Sequence, residues 1–541
     1  IGLGIDLSIQ FIARYEEELN RGATRVDAVA RAIEHTGPSI VTAALTNAAA
    51  FFAMSLSGFR GVTELGIIAG GGMILAMAVT MLVLPALLLV ARRKQESTHI
   101  PAQAAASRAE QALLRRPGIT LAVCATVTAV ALYGAWRVKF AYNVLDLQSR
   151  GLESVETELR LLQADAESTI FGSVVCETFA ETRALHHQLA ALPTVATVHS
   201  IAELIPEDAE EKMVILREIQ AKLGDVRFTV PAPAEEDAEA VLRSLASLRL
   251  RASQLARHAA GDPRAQAVLT KLAEAAREAR TRLSEAEPAA RAKWLAEYER
   301  QFFADLESQL QLIARQNVAR PMQLEDVPAE VRRMLIGQSG KFLIRVFPRE
   351  NIWEREPLAR FVRDLQRVAP KVTGTPLGLF EFVELLKRGY RNAALWALLV
   401  ITIMIYADFR GCGATVLTIV PLLVGMAWML GGMVLLDIPF NPANIMTLPL
   451  IVGIGVAYGI YVVQRYRETG EATFWGKSTG RAVILSGLTT IVAFASLIFG
   501  VHRGIRSLGV VMSLGVTACL VAAMTLLPAL LEVARRKGWK V

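Results

Sequence analysis

The stretch GIGVAYGIYVVQRYRE at 453–468 repeats, with changes, the stretch GLGIDLSIQFIARYEE at 2–17, 451 positions earlier. The segments that follow match at an offset of 443. They share Leu-Thr pairs, a Phe, an Arg-Gly pair and the LPAL runs at 84–87 and 527–530. Chance does not produce this many matches in order over about ninety residues. The sequence therefore predicts an internal repeat, which is typical of transporter folds.

Long apolar stretches run through and between the two copies. Of the 541 residues, 53% are hydrophobic and only 20% are charged, unlike an ordinary soluble domain. Each of eight stretches is long enough to cross ~30 Å of hydrocarbon. The predicted spans are 39–59, 64–91, 118–137, 391–408, 413–436, 444–463, 481–500 and 507–533. Residues 1–12 look like the last turns of one more span.

Basic residues next to the spans predict the orientation, because cytoplasmic loops are enriched in Lys and Arg. The basic clusters are Arg14, Arg21, Arg25 and Arg31; Arg92, Arg93, Lys94, Arg108, Arg115 and Arg116; Arg465, Arg467, Lys477 and Arg481; and Arg535, Arg536, Lys537 and Lys540. With these clusters in the cytoplasm, alternation of the spans places the polar segment 138–389 on the other side. Both copies then leave the membrane on the same side, so the repeat is parallel.

The predicted domains follow from this topology. They are the end of a first transmembrane repeat at 1–92, a cytoplasmic linker at 93–117, a span at 118–137, an extracytoplasmic domain at 138–389, further spans at 390–535 and a cytoplasmic tail at 536–541. A complete first copy would add three spans and a second polar domain. We therefore expect a C-terminal fragment that starts in the fourth of roughly twelve transmembrane helices.

The polar segment has the pattern of a mixed α/β domain. Alternating residues predict strands at 169–178, 195–201 and 341–347, and helical spacing predicts helices at 181–192 and 357–368. A helical insertion at about 232–335 separates the two β-α units. Within it, Glu235–Ala260 and Ala265–Glu307 predict a long helical hairpin.

Asp6 is the sharpest candidate functional residue. It lies in an apolar helix about two turns before Arg14. A charge at such a depth costs at least ~2.5–3.5 kcal/mol, and membrane proteins keep one there mainly for proton or ion relay. A protonated Asp that only bonds a neighbouring helix is the alternative. In the second copy Ala457 stands at the equivalent position, so either the site is asymmetric or an aspartate was replaced here.

Other polar residues on neighbouring spans complete the candidate proton relay. Each could instead bond a backbone carbonyl one turn back. The candidate relay residues are Asp6, Thr46, Asn47, Tyr458, Thr489 and Thr490. The small residues Gly2, Gly4, Gly453 and Gly455 form a candidate helix-packing motif, because glycine lets helices approach closely.

Several functional classes find no support. The four cysteines lie far apart without CxxC spacing, and the seven histidines show no spacing for metal ligation. The sequence contains no Walker-type phosphate loop, nucleophile elbow or HExxH motif. We expect neither an enzyme nor a metal or cofactor site. Topology explains the basic loops, so nucleic-acid binding has no support either.

The repeated motifs resemble the resistance–nodulation–division (RND) superfamily in its MMPL branch. The resemblance rests on GLGID at 2–6 with QFIARYEEE at 10–18, on the partner stretch 453–468 and on the LPAL runs. Asn143–Gln148 resembles that family's post-helix motif, although Ala141 stands where an Asp is usual. GVTELGIIAGGGM at 61–73 and the helical insertion look most like hopanoid-biosynthesis-associated RND transporters of Gram-negative bacteria.

This resemblance implies a polytopic α-helical inner-membrane protein with a ferredoxin-like periplasmic domain that carries the insertion. It implies proton-driven export of hydrophobic lipids, most specifically hopanoids, toward the outer membrane by a dimer or trimer. It places the proton-relay carboxylate at Asp6, and Ala457 puts a relay of two carboxylates in doubt. Two alternatives stay open: a proton-driven helper of protein translocation, and a sterol-sensing or scaffolding membrane protein that transports nothing.

Overall fold

A computed structural model describes residues 2–90, 110–111, 113–163, 168–223, 235–258, 263–314, 320–539 and 541. The chain forms two compact units. The larger unit comprises the chain up to Ser200 together with Gly337–Val541, and the smaller unit is Ile201–Ile336.

The described chain is mainly helical. In chain order the α-helices are α1 (Gly2–Asn20), α2 (Arg25–Ala53), α3 (Arg60–Val90), α4 (Pro117–Ala135), α5 (Glu153–Gln163), α6 (Phe179–Ala190), α7 (Ile201–Leu204), α8 (Ala209–Leu223), α9 (Glu235–His258), α10 (Pro263–Glu285), α11 (Pro288–Ala314), α12 (Ala329–Leu335), α13 (Arg355–Val368), α14 (Thr375–Phe409), α15 (Cys412–Leu435), α16 (Thr447–Thr469), α17 (Ser478–Ala495) and α18 (Arg503–Arg536). The strands are β1 (Gly172–Cys176), β2 (Val195–His199), β3 (Phe342–Pro348) and β4 (Thr373–Gly374).

Eight helices in the described part of the chain are long and apolar enough to cross a membrane: α2, α3, α4, α14, α15, α16, α17 and α18. Each overlaps one of the eight predicted spans. Helices suit the apolar interior of a membrane because their backbone N–H and C=O groups form hydrogen bonds with one another. Two helices begin well before the predicted span, α2 at Arg25 and α14 at Thr375. Hydropathy detects only the apolar part of a helix, and the polar turns that precede it carry no such signal.

Helix α16 lies at the centre of the larger unit. It is buried along almost its whole length and packs against α2, α14, α15 and α18. By contrast, α3 and α4 expose most of their apolar surface. A helix that is apolar on all sides can face the apolar interior of a membrane, which suits α3 and α4. The second copy of the repeated motif therefore occupies the most protected position in the described chain.

The contacts between helices follow the repeat. Helix α1 packs on α2, α3 and α17, and its equivalent α16 packs on α17, α18 and α2. The first helix of each copy thus contacts the second helix of the other copy. The glycine motif shows the same relation. A Cβ at Gly4 would lie 3.1 Å from the Ala76 Cβ, and a Cβ at Gly455 would lie 2.9 Å from Cys519 Sγ, at the equivalent position of the second copy.

A small antiparallel sheet forms in the polar segment of the larger unit. Its strand order is β2-β3-β1-β4, and every neighbouring pair is antiparallel. Helix α6 connects β1 to β2, and α13 connects β3 to β4. Strands β1, β2 and β3 overlap the three predicted strands. The prediction missed β4, because two residues are too few to show an alternating pattern.

The smaller unit begins at Ile201, and the predicted insertion at about 232–335 lies within it. The predicted helical hairpin is wrong in its second arm, since Ala265–Glu307 is divided between α10 and α11. Pro288 begins α11, and proline is tolerated in the first turn of a helix but not in its interior. A proline at this position therefore starts a new helix.

The end of the predicted linker is anchored by Glu110, which is only 3% exposed. Its Oε1 accepts the N–H groups of Phe474 at 2.7 Å and Trp475 at 3.1 Å, in the loop between α16 and α17. The Leu114 carbonyl accepts a hydrogen bond from Arg536 Nη2 at 3.0 Å. Burial raises the pKa of the Glu110 carboxyl above its usual range, although the two N–H groups and Lys477 oppose this shift.

We predict that Glu110→Ala lowers the free energy of unfolding by about 1–3 kcal/mol, because two backbone N–H groups lose their acceptor. A carboxyl whose pKa is raised by folding makes stability fall as the pH rises through that raised pKa. Glu110→Gln should therefore flatten the pH dependence of stability. Thermal unfolding of the detergent-solubilised protein across roughly pH 4 to 8 measures both effects.

Glu16→Gln is the control, since it removes an exposed carboxylate that lies outside this loop, and it should leave the pH dependence unchanged. An unchanged pH dependence in Glu110→Gln would contradict the prediction.

Candidate proton-relay site

Asp6 lies half-buried where α1 packs against α17. The Thr490 hydroxyl donates a hydrogen bond to Asp6 Oδ2 at 3.3 Å. The Ser486 hydroxyl, one turn earlier on α17, also interacts with the carboxyl group. Residues four apart share one face of a helix, so α17 presents both hydroxyls to α1. Asp6 Oδ1 is buried and has no hydrogen-bond partner among the described residues.

Two tyrosines of the central helix α16 face the same carboxyl group. Tyr458 and Tyr461 are 2% and 4% exposed, and both interact electrostatically with Asp6. Within the described ranges neither hydroxyl has a hydrogen-bond partner. A buried hydroxyl normally has one, so each exception needs an explanation. Two buried O–H groups of α16 therefore interact with the same carboxyl group through their charges and dipoles rather than through a hydrogen bond within the described residues.

Thr46 and Thr489 form hydrogen bonds with backbone carbonyls of their own helices, which is the alternative to a relay role. Thr46 Oγ1 donates to the Thr42 and Ala43 carbonyls at 2.8 and 2.9 Å. Thr489 Oγ1 donates to the Ser486 carbonyl at 2.8 Å. These bonds lie within a single helix. The structure therefore brings Asp6, Tyr458 and Thr490 together, and it engages Thr46 and Thr489 with their own backbone.

Asn47 occupies the position in the first copy that Thr490 occupies in the second. Its side chain is 6% exposed, and its Oδ1 has no partner in the described part of the chain. This oxygen would lie 3.1 Å from a Cβ at Gly453, so it faces α16. The residue equivalent to Asp6 on that helix is Ala457, which has no polar side chain. The two copies therefore differ at this site. Thr490 donates a hydrogen bond to a carboxyl group, whereas the equivalent Asn47 lies next to a helix with alanine at the matching position.

The predicted glycine motif lies at close helix contacts. Gly4 approaches α3 at Ala76, and Gly453 approaches α2, where a Cβ would lie 3.1 Å from the Ala50 Cβ. Gly455 approaches α18 and α15, and Gly2 begins α1. A side chain at these positions would push the helices apart. Gly4 thus allows α1 to approach α3, and Gly453 and Gly455 allow α16 to approach α2, α15 and α18.

Sequence reasoning missed Ser486 and Tyr461. Each lies one turn from a predicted site residue, Ser486 before Thr490 and Tyr461 after Tyr458. Helical spacing could have identified both once the site-facing sides of α16 and α17 were known. No group of three or more His, Cys, Asp or Glu residues in the described ranges could hold a metal ion.

The family profile that matches the chain is that of the MMPL family, over residues 1–120 and 353–541. The chain belongs to the MMPL family. Two hopanoid transporters named HpnN, from Rhodopseudomonas palustris and Burkholderia multivorans, are each 30% identical to it over 98% and 100% of its length. The chain spans 60% of each of these relatives. The predicted resemblance to the MMPL branch and its hopanoid-associated members is confirmed.

A solved structure of SecDF in a super-membrane-facing form aligns with 99% of this MMPL-family chain and 54% of its own length, at 14% identity and a TM-score of 0.43.

We predict that Thr490→Val lowers the free energy of unfolding by about 0.5–1.5 kcal/mol, because it removes the hydrogen bond between α17 and Asp6. Thr489→Val is the matched control, since Thr489 bonds within its own helix. Thermal unfolding in detergent measures both. In a protein that also carries Asp6→Asn, Thr490→Val should lower the free energy of unfolding by a different amount than in the unmodified protein, because the two residues interact. An identical loss in both backgrounds would show that Thr490 acts independently of Asp6.

Proposed function

We propose that this MMPL-family protein is a proton-driven exporter that moves hydrophobic lipids, most specifically hopanoids, from the inner membrane toward the outer membrane. The observation that carries the proposal is the half-buried carboxyl of Asp6, which accepts a hydrogen bond from Thr490 and interacts electrostatically with two buried tyrosines, between the two copies of the repeat. The names of the two HpnN relatives support the lipid class. Protons, the bilayer and a hopanoid-like lipid are the partners, and the protein assembles as a dimer or trimer.

Proton binding at Asp6 is the proposed driving step. A charged carboxylate inside the apolar bundle costs about 2.5–3.5 kcal/mol on insertion scales, and protonation removes that cost. The two protonation states therefore favour different packings of α1 against α17 and α16. Tyr458 and Thr490 orient the carboxyl and exchange hydrogen bonds with it as the packing changes. Because Ala457 replaces the second carboxyl, we propose that Asp6 alone carries the proton.

The extracytoplasmic domain is proposed to span residues 138–389 and to lie in the periplasm. Its strand order β2-β3-β1-β4, with α6 and α13 as connections, is that of split β-α-β folds, which supports a ferredoxin-like core. The proposed helical insertion at about 232–335 lies within the unit Ile201–Ile336. We propose that the lipid crosses the water layer through an apolar path in this domain, while the linker at 93–117 and the tail at 536–541 face the cytoplasm.

Helix α14 is the proposed mechanical link between the sheet and the membrane. It begins directly after β4 and continues without a break to Phe409. Near its start, the Tyr142 hydroxyl donates to Glu384 Oε1 at 2.5 Å, and Arg355 lies 3.8 Å from the same oxygen. Burial and the Glu384 carboxylate raise the pKa of Tyr142 to about 12, so the phenol keeps its proton and remains a donor.

The proposal predicts that Asp6→Asn stops lipid export in cells whose only copy of the gene carries this change. Asn keeps the size and polarity of Asp but cannot release a proton. Mass spectrometry of separated inner and outer membranes should show hopanoid retained in the inner membrane, as in a deletion strain. Glu16→Gln is the matched control, because it removes an exposed carboxylate from the same helix.

The outcomes of this experiment separate the alternatives. Unchanged outer-membrane hopanoid in the deletion strain would overturn the lipid assignment, and a secretion defect there would favour a helper of protein translocation. A deletion phenotype that Asp6→Asn does not reproduce would overturn proton coupling and favour a scaffold.

We further predict that Tyr142→Phe reduces outer-membrane hopanoid while the protein still inserts and folds, because the hydrogen bond between the start of the domain and α14 is lost. Tyr133→Phe is the control, because it also removes a tyrosine hydroxyl that forms a hydrogen bond. The Tyr133 hydroxyl accepts this bond from Arg137, an exposed residue only four positions further along the chain. Equal export by both variants would show that the Tyr142–Glu384 contact does not transmit the movement.

A further inference from the structure

A line of polar residues leads from Asp6 along α1 to its basic end. Gln10 follows Asp6 by one turn and Arg14 follows by two, so the three share one face of the helix. Gln10 is 3% exposed, and its Nε2 has no partner within the described residues. A buried amide without a partner is uncommon. Gln10 therefore continues the polar surface that begins at Asp6.

Helix α16 carries the matching line. Tyr461 is the equivalent of Gln10, and Arg465 is the equivalent of Arg14. Both are buried, and each lies on the helix face that begins at Tyr458. At one end Tyr458 and Tyr461 interact electrostatically with Asp6, and at the other Arg465 pairs with Glu17 of α1. We call the polar side chains from Asp6 to Arg14 on α1 and from Tyr458 to Arg465 on α16 the polar column.

An ion pair between the two copies closes the end of this column. Arg465 Nη2 lies 2.8 Å from Glu17 Oε1, and the two side chains are 6% and 14% exposed. Glu17 also pairs with Arg14 at 3.4 Å and Arg21 at 2.5 Å, and it accepts a hydrogen bond from the Ser478 hydroxyl at the start of α17. One carboxylate thus joins α1, α16 and α17.

The surrounding charges reinforce the closure. Glu18 is 3% exposed and pairs with Arg14, Arg21 and Arg31 at 2.9–3.3 Å. Burial opposes ionisation of Glu18, but the hydrogen bond from Arg31 and the three positive charges together hold its pKa below the usual range. In the second copy Glu468, the equivalent of Glu17, interacts electrostatically with Arg14 of the first copy.

We infer that the Arg465–Glu17 ion pair is the cytoplasmic gate of the water path to Asp6. While the pair is closed, α1, α16 and α17 are joined and the column is sealed below Gln10 and Tyr461. When the two copies move apart the pair breaks, and the column connects Asp6 with the cytoplasm. The inference rests on the proposed function, because it supplies the exit for the proton that Asp6 carries.

Cysteine accessibility tests the gate without measuring transport. The native cysteines (Cys124, Cys176, Cys412 and Cys519) are replaced, Gln10→Cys is introduced, and a charged, membrane-impermeant thiol reagent is added to inverted membrane vesicles. The reagent reaches Gln10→Cys slowly if the pair is closed. Glu17→Gln or Arg465→Gln should raise the labelling rate about tenfold, since either change shifts the population toward the open state. Arg465→Lys retains the charge and should stay near the unmodified rate.

Two controls distinguish opening of the gate from unfolding. Arg21→Gln removes an exposed partner of Glu17 from the same copy, so it should leave the labelling rate within about twofold. Ala397→Cys, buried in α14, should stay unlabelled in every variant. Ser478→Ala removes one hydrogen bond to Glu17 without uncovering a charge, and it should raise the rate in the same direction by a smaller factor.

Unchanged labelling of Gln10→Cys in both Glu17→Gln and Arg465→Gln overturns the gate, and so does an equal increase with Arg21→Gln. The proposed function fails separately, through normal lipid export by Asp6→Asn, which leaves the labelling result as it stands. A gate that opens as expected beside an inactive Asp6→Asn protein supports both.

Discussion

The structure depends on where one carboxyl group can be placed inside an apolar helix bundle. A charge at that depth is costly, and an isolated carboxyl needs partners that satisfy its oxygens. The chain meets this need where α1, from the first copy of the repeat, packs against α17 of the second copy. Thr490 donates to Asp6 there, and Tyr458 and Tyr461 of the most buried helix face it. The proposed coupling is a consequence of this position, since the helices around Asp6 belong to both copies.

The repeat gives the protein two equivalent positions on α1 and α16, and the residues at these positions differ: Asp6 in the first copy and Ala457 in the second. The glycine contacts and the arginine and glutamate at the end of the first helix occur in both copies, so the two copies share these features. The polar site is not shared, because Ala457 leaves Asn47 without a carboxyl partner. The two copies therefore differ in charge at this position, because only the first copy carries a carboxyl group there. The same crossed packing brings Arg465 to Glu17, so the polar site and the ion pairs below it lie on one continuous interface.

Helix α14 connects this interface to the sheet. Because it is one helix from Thr375 to Phe409, its first turns cannot move independently of its last turns without bending. Strand β4 precedes it directly, and Tyr142 ties the beginning of the polar segment to its side at Glu384. Helix α16 also packs against α14, so the central helix and the sheet share a rigid neighbour. This connection is the physical basis for the proposed transmission from proton site to outer domain.

The sequence by itself determined the eight apolar helices, the repeat and the three longer strands, and it singled out Asp6 as a candidate, because hydropathy, periodicity and a charge in an apolar run are local properties. It also pointed to Tyr458 and Thr490, through their places in the repeat. It missed β4, the break before Pro288, Ser486 and Tyr461. Only the tertiary structure decided that Thr46 and Thr489 bond their own backbone while Thr490 reaches Asp6. Only the structure brought Arg465 to Glu17, residues that lie more than four hundred positions apart. Such choices depend on which face of each helix meets its neighbour, and packing between distant helices sets that orientation.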